Sequence, residues 1–285
     1  MKILILGGSG MLGHRLALNL SKKHTTYITV RTNQNPIPEF PDRYVVRGVD
    51  GLITEQITEV IVSHKPDVVI NCIGLIKQAN NTNPLPSIML NTLLPHQIAL
   101  ICRAANIRMI HISTDCVFSG NKGNYTHTDP SDATDLYGRS KYLGEVYYPD
   151  CITLRTSIIG MELKNHLGLI DWFLSQSGTI KGYRNAIYTG LTTDELSRVI
   201  CDYVIPSKMY GLYHVSSDPI SKYDLLERAK YAFKKDIVIL PDDEFKCDRS
   251  LDSSTFRQLT GYSPPSWDTM INDMASVASF YNRNI

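Results

Sequence analysis

The segment YGRSKYLGE places a phenol and an ammonium, those of Tyr137 and Lys141, four residues apart. On a helix this spacing puts both groups on one face, where the positive charge would lower the pKa of the phenol from about 10. Such a phenol can exchange a proton with a carbonyl oxygen while hydride moves at the carbonyl carbon. The hydroxyl of Thr114, upstream in STDCVFSG, can donate a second hydrogen bond to that oxygen. Tyr-x-x-x-Lys alone is more often structural than catalytic, but together with the strand end at Thr114 and the glycine-rich turn upstream it predicts a site for carbonyl–alcohol redox chemistry.

A glycine-rich turn follows the first buried run, in KILILGGSGMLG. Gly7 permits a tight turn, Gly10 lets backbone N–H groups approach a pyrophosphate, and Gly13 lets the following helix lie close to the sheet. Because the turn joins a strand to a helix at the start of a β/α chain, it predicts a dinucleotide site. An oxidised nicotinamide bound there would lower the pKa of the phenol further, and Lys141 could hold a ribose hydroxyl. The turn residues that we assign to the cofactor are Gly7, Ser9, Gly10, Met11, Leu12 and Gly13.

The second predicted strand ends in VRTN (30–33), without the carboxylate that binds the ribose 2′-hydroxyl in NAD enzymes. An arginine at this place can pair with a 2′-phosphate, and Arg15 on the first helix could help. Arg31 therefore favours NADP, with NAD as the alternative cofactor, although a plain solvated arginine is the competing interpretation. Asp50 is a candidate for binding the adenine amino group.

These residues need a scaffold that brings strand ends together. Short apolar runs alternate with helical patterns in the first half of the chain, which predicts an α/β fold with a doubly wound parallel sheet, a Rossmann fold. The predicted strands are 2–6, 27–30, 67–72, 108–113 and 152–156, and the predicted helices include 11–22 and 86–105.

The β/α rhythm weakens after residue 160, so we predict an NADP-binding Rossmann domain over 1–160 and a smaller, mainly substrate-binding lobe over 161–285. The segment GLYHVS (211–216) could form a strand that returns to the first sheet. Residues 165–188 have a helical apolar pattern followed by a glycine turn and a basic run. Lys181 and Arg184 are expected in a loop there, either at the surface or against a diphosphate.

Composition excludes several classes of protein. The 29 basic and 28 acidic residues give no global field that would hold nucleic acid or an anionic membrane. The six cysteines are scattered singly, without CxxC pairs or metal-ligand spacing, so we expect reduced thiols and no metal. No apolar run approaches the roughly 20 residues of a membrane span, and none resembles a signal peptide. The cytoplasm is the expected compartment.

Taken together, these motifs resemble those of the extended short-chain dehydrogenases/reductases, and STDCVFSG and YGRSKYLGE resemble the dTDP-4-dehydrorhamnose reductase branch in particular. The resemblance spans nearly the whole chain and is strongest over residues 1–157. It implies that Thr114, Tyr137 and Lys141 form the catalytic set. It also implies a nucleotide-sugar substrate, with a homodimer left open.

The resemblance assigns further residues. Those expected to flank the cofactor are Cys72, Ile73, Gly74 and Ser157, and those expected to bind the substrate are Asp115, Cys116, Asn165 and Arg249. One departure stands out, because that branch usually has tyrosine where this chain has Cys116. A substrate contact is therefore missing and the sugar could differ, although Cys116 could equally be a small buried filler. Sugar-nucleotide dehydratases carry an Asp-Glu pair there, and since a thiol does not replace that glutamate, dehydration is disfavoured.

The leading hypothesis is NADPH-dependent reduction of the 4-keto group of a nucleotide-linked 4-keto-6-deoxyhexose, on dTDP or UDP, for surface polysaccharide or O-antigen synthesis. Two alternatives stay open. A nucleotide-sugar epimerase of the same fold needs only the same hydride relay and a substrate that can turn over in the pocket. A non-catalytic regulatory subunit could use this scaffold, but retention of all three catalytic residues argues against it.

Overall fold

Runs of buried aliphatic residues form the central sheet of the computed structural model, which describes residues 1–76, 83–164 and 166–281. All seven strands are parallel, in the order β10-β6-β5-β4-β1-β2-β3. They are β1 (Lys2–Leu6), β2 (Thr25–Thr29), β3 (Val45–Val46), β4 (Val68–Asn71), β5 (Arg108–Thr114), β6 (Cys151–Thr156) and β10 (Gly211–His214). The predicted doubly wound Rossmann fold is confirmed.

Helices cover both faces of this sheet, which explains why its strands are continuously apolar. Ile3 and Ile5 pack in the core cluster that contains α1 and the C-terminal helices, whereas Leu4 and Leu6 pack with α2 and α4 on the opposite face. The helices are α1 (Met11–Leu20), α2 (Thr54–His64), α3 (Leu85–Ser87), α4 (Leu94–Ala104), α5 (Leu136–Leu143), α6 (Leu169–Ser175), α7 (Thr193–Val199), α8 (Lys222–Ala232), α9 (Ser254–Thr260) and α10 (Trp267–Ser276).

Two small sheets lie outside the central one. In the first, β8 (Gly178–Tyr188) pairs with β11 (Ile220–Ser221) and β12 (Ile237–Asp248), and in the second β7 (Ile158–Ile159) pairs with β9 (Leu191–Thr192). The expectation that Lys181 and Arg184 lie in a loop is wrong, since both belong to β8. Their charges face acidic partners on β12, with the Lys181 ammonium 3.0 Å from an Asp242 carboxylate oxygen.

The strand expected near 211–216 is present as β10, which pairs in parallel with β6 at the edge of the central sheet. The chain thus leaves the central sheet after β6, forms β7, β8 and β9 of the small sheets, returns as β10, and then adds β11 and β12 to the first small sheet. A division between the two lobes at residue 160 consequently leaves one strand of the first sheet in the second segment.

The expected helix over 86–105 is not uniformly α-helical. Between α3 and α4 the chain forms a π-helical stretch, Ile88–Leu93. Contrary to the expectation that no run is long enough, the stretch Leu85–Ala104 would pass as a membrane span by length and composition among the described residues. Leu90, Leu94 and Ile98 on this helix are nevertheless buried in the protein core, as is common for core helices of soluble proteins.

A buried ion pair connects the end of α5 to the sheet. The guanidinium of Arg155 on β6 donates to both carboxylate oxygens of Glu145, each at 2.7 Å, and the Ser113 hydroxyl on β5 donates to the same carboxylate at 2.7 Å. Arg155 also approaches His214 on β10 (3.4 Å) and lies over the ring of Phe118. These contacts fix the helix that carries the predicted phenol and ammonium relative to three strands.

We expect Arg155→Met to lower the free energy of unfolding by about 3–5 kcal/mol, because it leaves the Glu145 carboxylate buried without its counter-charge. In the double variant Glu145→Gln/Arg155→Met no buried charge remains, so much of the loss should be recovered. Denaturant unfolding of both variants measures this. A single variant as stable as the wild type would show that the pair does not hold the helix.

Candidate active site

The predicted site residues converge at the carboxyl ends of β1, β4 and β5. The chain order reverses between β1 and β4, which is where open α/β sheets bind ligands. The glycine turn follows β1, the segment 72–74 follows β4, and Thr114 ends β5. Adjacent parallel strands therefore bring three separate predictions to one edge of the sheet.

The glycine turn has the geometry that the sequence predicts. Gly7 has a φ of +84°, and its carbonyl accepts the Gly10 N–H at 3.1 Å. A Cβ on Gly13 would lie 2.2 Å from the Gly7 carbonyl oxygen, so only glycine lets α1 approach the turn this closely. Gly10 precedes α1 with no side chain capping the helix, and a Cβ there would meet only the Gly7 oxygen, at 3.4 Å. The turn thus leaves space beside Gly10, where a pyrophosphate could bind, and no space at Gly13, where α1 packs against the turn.

The other turn residues are placed by α1. Leu12 is buried in the core, whereas Ser9 and Met11 are partly exposed. A Cβ on Gly168 would lie 2.7 Å from the terminal methyl of Met11, so the second segment closes over this end of the turn.

The segment after β4 lies against the glycine turn. A Cβ on Gly7 would meet Ile73 at 3.1 Å and the Cys72 carbonyl carbon at 3.2 Å, whereas one on Gly74 would lie 4.0 Å from the Lys141 ammonium. Cys72 is a neutral thiol, because burial raises its pKa to about 12. These residues therefore bridge the predicted phosphate site and the predicted catalytic helix.

The structure distinguishes between the residues that were predicted to bind the adenosine part of the cofactor. Arg31 is exposed just beyond β2, accessible to a 2′-phosphate. Arg15 is not available for that role, because it is buried and paired with Asp194 of α7 through a contact of 2.5 Å. The expected help from Arg15 is therefore wrong. The carboxylate of Asp50 accepts the Leu52 N–H at 3.0 Å, which orders its own loop.

Thr114 and Tyr137 lie together. Thr114 is buried at the end of β5 and accepts the Cys116 N–H at 3.1 Å, and its hydroxyl is near enough to the Tyr137 phenol to favour the ionised form of that phenol. The expected lowering of the phenol pKa is wrong for this structure. Burial raises the pKa of Tyr137 above its ordinary value, and the neighbouring Cys116 raises it further, while the nearby Thr114 hydroxyl opposes the shift. The phenol consequently carries its proton at neutral pH.

Lys141 explains part of this result. Its ammonium is buried and donates to the Ile112 carbonyl oxygen at 2.7 Å rather than to the phenol. Burial lowers the pKa of Lys141 to about 8, although the nearby Glu145 carboxylate favours the charged form. Lys141 thus stands between the segment after β4 and the strand that carries Thr114.

The substrate candidates Asp115, Cys116 and Arg249 form one group. The Thr114 hydroxyl donates to Asp115 at 3.2 Å, and an Arg249 guanidinium nitrogen lies 3.7 Å from the Cys116 sulfur. A second guanidinium nitrogen of Arg249 donates to the Phe118 carbonyl at 2.8 Å. Burial raises the pKa of Asp115 and raises that of Cys116 to about 12. Arg249, distant in sequence, therefore lies over the loop that follows the catalytic threonine.

Ser157, expected near the nicotinamide, follows β6 and accepts the Leu191 N–H at 2.8 Å through its carbonyl. Its side chain contacts Tyr188 of β8. Asn165, a substrate candidate, lies outside the described residues.

Sequence reasoning missed Asn91, which lies in the π-helical stretch. Its buried side chain accepts the Leu75 N–H at 2.8 Å and donates to the Leu75 carbonyl at 3.0 Å and to Ser140 on α5 at 3.2 Å. A Cβ on Gly144 would lie 1.8 Å from the Asn91 carbonyl oxygen, so α5 packs tightly here. The available signal was the side-chain amide in the mainly apolar run IMLNTL, and the π-helical turn seen there is of a kind frequent at functional sites.

With this geometry in place, comparison with known proteins gives one family. The family described as RmlD substrate binding domain matches residues 1–279. The chain belongs to this family. Its match covers both lobes, including Lys141, Tyr137 and Arg249.

Individual relatives are more distant. The chain is 29% identical over 225 residues to the probable low-salt glycan biosynthesis reductase Agl14 of Haloferax volcanii, covering 75% of this chain and 73% of that protein. It is 26% identical over 168 residues to the dTDP-4-dehydrorhamnose reductase of Mycobacterium tuberculosis, covering 55% of this chain and 49% of that protein. The chain therefore aligns with only about half the length of some curated relatives.

Solved structures share the fold. The dTDP-4-dehydrorhamnose reductase of Bacillus anthracis in complex with NADP superposes with a TM-score of 0.80 at 19% identity, covering 96% of this chain and 98% of that one. The UDP-glucose 4-epimerase of Thermus thermophilus in complex with NAD superposes with a TM-score of 0.81 at 14% identity, covering all of both chains. At these identities the comparison establishes the Rossmann architecture and leaves the reaction to the site residues.

We expect Gly13→Ala and Gly10→Ala to fail in different ways. Gly13→Ala forces α1 away from the Gly7 carbonyl and should cost about 1–3 kcal/mol of stability. Gly10→Ala has space and a φ of −74°, so its melting temperature should match the wild type, while its affinity for NADPH falls at least tenfold. Calorimetry and NADPH fluorescence measure the two effects. Normal NADPH binding by Gly10→Ala would rule out the turn as the phosphate site.

The lowered pKa of Lys141 predicts a pH-dependent stability. Between pH 8 and about 10.5 the unfolded lysine keeps a proton that the folded one has lost, so this group makes the free energy of unfolding rise with pH in that window. Below pH 8 the penalty is fully present. The difference in melting temperature between wild type and Lys141→Met should therefore shift in favour of the wild type from pH 8 to 10. A constant difference would contradict the buried, destabilised ammonium.

Proposed function

We propose that this protein is an NADPH-dependent reductase of the 4-keto group of a nucleotide-linked 4-keto-6-deoxyhexose, carried on dTDP or UDP. The single observation that carries the proposal is that the Tyr137 phenol lies beside the Thr114 hydroxyl at the carboxyl end of β5. Two neighbouring hydroxyls, one of them a protonated phenol, can both donate to one carbonyl oxygen. The names of the glycan reductase and dTDP-4-dehydrorhamnose reductase relatives support this substrate class.

The chain's own residues divide the work. Tyr137 donates its proton to the oxygen of the keto group. The Thr114 hydroxyl, which donates to Asp115 in this structure, turns to the substrate and donates a hydrogen bond that stabilises the negative charge developing there. The Tyr137 phenol carries its proton at neutral pH, which a reductase needs, and the positive charges of Lys141 and of an oxidised nicotinamide would lower its pKa for the transfer. Lys141 stabilises the phenolate that remains and holds a ribose hydroxyl of the cofactor. The nicotinamide, when bound, supplies the hydride for the carbonyl carbon.

The residues present fit a phosphorylated dinucleotide. The glycine turn leaves space for the pyrophosphate, and Cys72, Ile73 and Gly74, which lie between that turn and Lys141, would flank the nicotinamide half of the cofactor together with Ser157. The exposed Arg31 binds the 2′-phosphate of NADPH, and no acid at the end of β2 competes for a 2′-hydroxyl. Asp50 binds adenine at the far end. NAD is the secondary cofactor.

The substrate lies against the second lobe, over Asp115, Cys116 and Arg249, and Asn165 is a further candidate from the sequence. Because Cys116 is a neutral thiol with a pKa of about 12, it supplies no acid for a dehydratase at this position. We place the enzyme in surface polysaccharide or O-antigen synthesis in the cytoplasm. It binds neither nucleic acid nor membranes and is free to act as a homodimer.

Tyr137→Phe tests the mechanism. It should lower NADPH oxidation with dTDP- or UDP-4-keto-6-deoxyglucose by about 10²–10⁴-fold, because the ring stays and the proton donor goes. Tyr147, which is 65% exposed beyond the end of α5, offers the same substitution as a control, and Tyr147→Phe should keep wild-type turnover. Following absorbance at 340 nm for all three proteins measures both.

Two outcomes would sink the proposal. Full activity in Tyr137→Phe removes the phenol from the mechanism, and no turnover of any 4-keto-6-deoxy nucleotide sugar by the wild type removes the substrate class. Conversion of a nucleotide sugar to its epimer without net NADPH consumption would instead identify the epimerase alternative.

A further inference from the structure

Lys222 brings an ammonium into the substrate region from the second lobe. It is the first residue of α8 and directly follows β11, which pairs with β8 at Tyr188. Ser221 caps the helix by accepting the Asp224 N–H at 3.0 Å, so the start of α8 is fixed. The lysine side chain is half-buried and therefore open to a ligand.

The ring of Tyr188 forms a support for this ammonium. The Lys222 nitrogen lies 3.8 Å from the centroid of the Tyr188 ring, a cation–π contact. Tyr188 is buried, and its hydroxyl occupies the space that a side chain on Gly190 would fill, where a Cβ would lie only 2.0 Å away. The aromatic face is thus held in place, and the ammonium on it has a defined position.

Charged and ionisable groups lie around Lys222. Burial lowers the pKa of Lys222 to about 8, while the Asp115 carboxylate is the main group that favours its charged form and Arg249 opposes it. Cys116 and Cys247 also border it, and the pKa of Cys116 is raised to about 12. Lys222 and Arg249 are thus two cations near the Asp115 carboxylate, and Asp135 acts on Arg249 as well.

Within residues 1–76, 83–164 and 166–281, the Lys222 ammonium forms no hydrogen bond or ion pair at contact distance. A partly desolvated ammonium that contacts only an aromatic face keeps its donors available. A Cβ on Gly190 would lie 2.0 Å from the Tyr188 hydroxyl and 2.5 Å from the Ser157 carbonyl oxygen, and Ser157 follows the residue of β6 that pairs with Thr114. The ring that supports Lys222 therefore lies near the end of β5, on the side where the reacting sugar is proposed to bind.

We propose that Lys222 is a specificity-determining residue that donates a hydrogen bond to an oxygen substituent of the hexose ring of the bound nucleotide sugar. The proposal rests on the nucleotide-sugar function given above. Tyr188 positions the ammonium, and Asp115 links it electrostatically to the catalytic threonine.

The test compares binding of dTDP with dTDP-glucose, and of UDP with UDP-glucose, by calorimetry in the presence of saturating NADP⁺. In Lys222→Met we expect the Kd of the sugar nucleotides to rise at least tenfold while the Kd of the free nucleotides changes less than twofold. Lys222→Arg should recover most of the sugar affinity. Lys230→Met, the same change near the far end of α8 and also beside a tyrosine ring, is the control and should match the wild type.

An equal loss of affinity for nucleotide and sugar nucleotide would overturn the proposal, because it would indicate a phosphate contact or a structural role. Unchanged affinities, or a wild type that binds neither sugar nucleotide more tightly than its free nucleotide, would also overturn it. Failure of the reductase function shows separately, as absence of NADPH oxidation in an enzyme whose sugar affinity still depends on Lys222.

Discussion

The buried carboxylate of Glu145 is the constraint on which the site depends. A charge in this position is tolerated only with a counter-charge and hydrogen bonds, and Arg155 and Ser113 supply both from β6 and β5. Because Glu145 directly follows the helix that carries Tyr137 and Lys141, satisfying it fixes that helix against the strand ending in Thr114. The ion pair between Glu145 and Arg155, four residues after Lys141, therefore holds the Tyr137 phenol near the Thr114 hydroxyl.

Burial in the same environment determines the protonation states of the site residues. Burial keeps the Tyr137 phenol protonated and brings the pKa of Lys141 to about 8, while His111 beneath it is held neutral by a strongly lowered pKa. At the catalytic end of the sheet the Tyr137 oxygen therefore carries a proton, and the net charge is small. On the substrate side, by contrast, the cations Lys222 and Arg249 lie near the Asp115 carboxylate. A substrate carbonyl oxygen that becomes negative during reduction would therefore have hydroxyl donors on the catalytic side and cationic donors on the substrate side.

Local patterns in the sequence predicted the parallel sheet, the glycine turn and the place of Thr114, because each depends on neighbouring residues and on the rule that parallel strand ends share an edge. They did not predict that Arg15 is neutralised by Asp194, that Lys181 lies in a strand opposite Asp242, or that Lys222 reaches Asp115. Each of these is an electrostatic interaction between residues 61 to 179 positions apart, and only the first two are ion pairs at contact distance; no local period encodes such interactions. The direction of the Tyr137 pKa shift failed for the same reason, since burial depends on the whole fold.

A crystal structure with NADP⁺ and dTDP-glucose or UDP-glucose tests the central claim most directly. The account predicts that the hydroxyl at C4 of the sugar lies about 3 Å from both the Tyr137 Oη and the Thr114 Oγ1, with the nicotinamide ring against the same carbon. A nicotinamide bound away from the end of β5, or a sugar hydroxyl that contacts neither side chain, would contradict it.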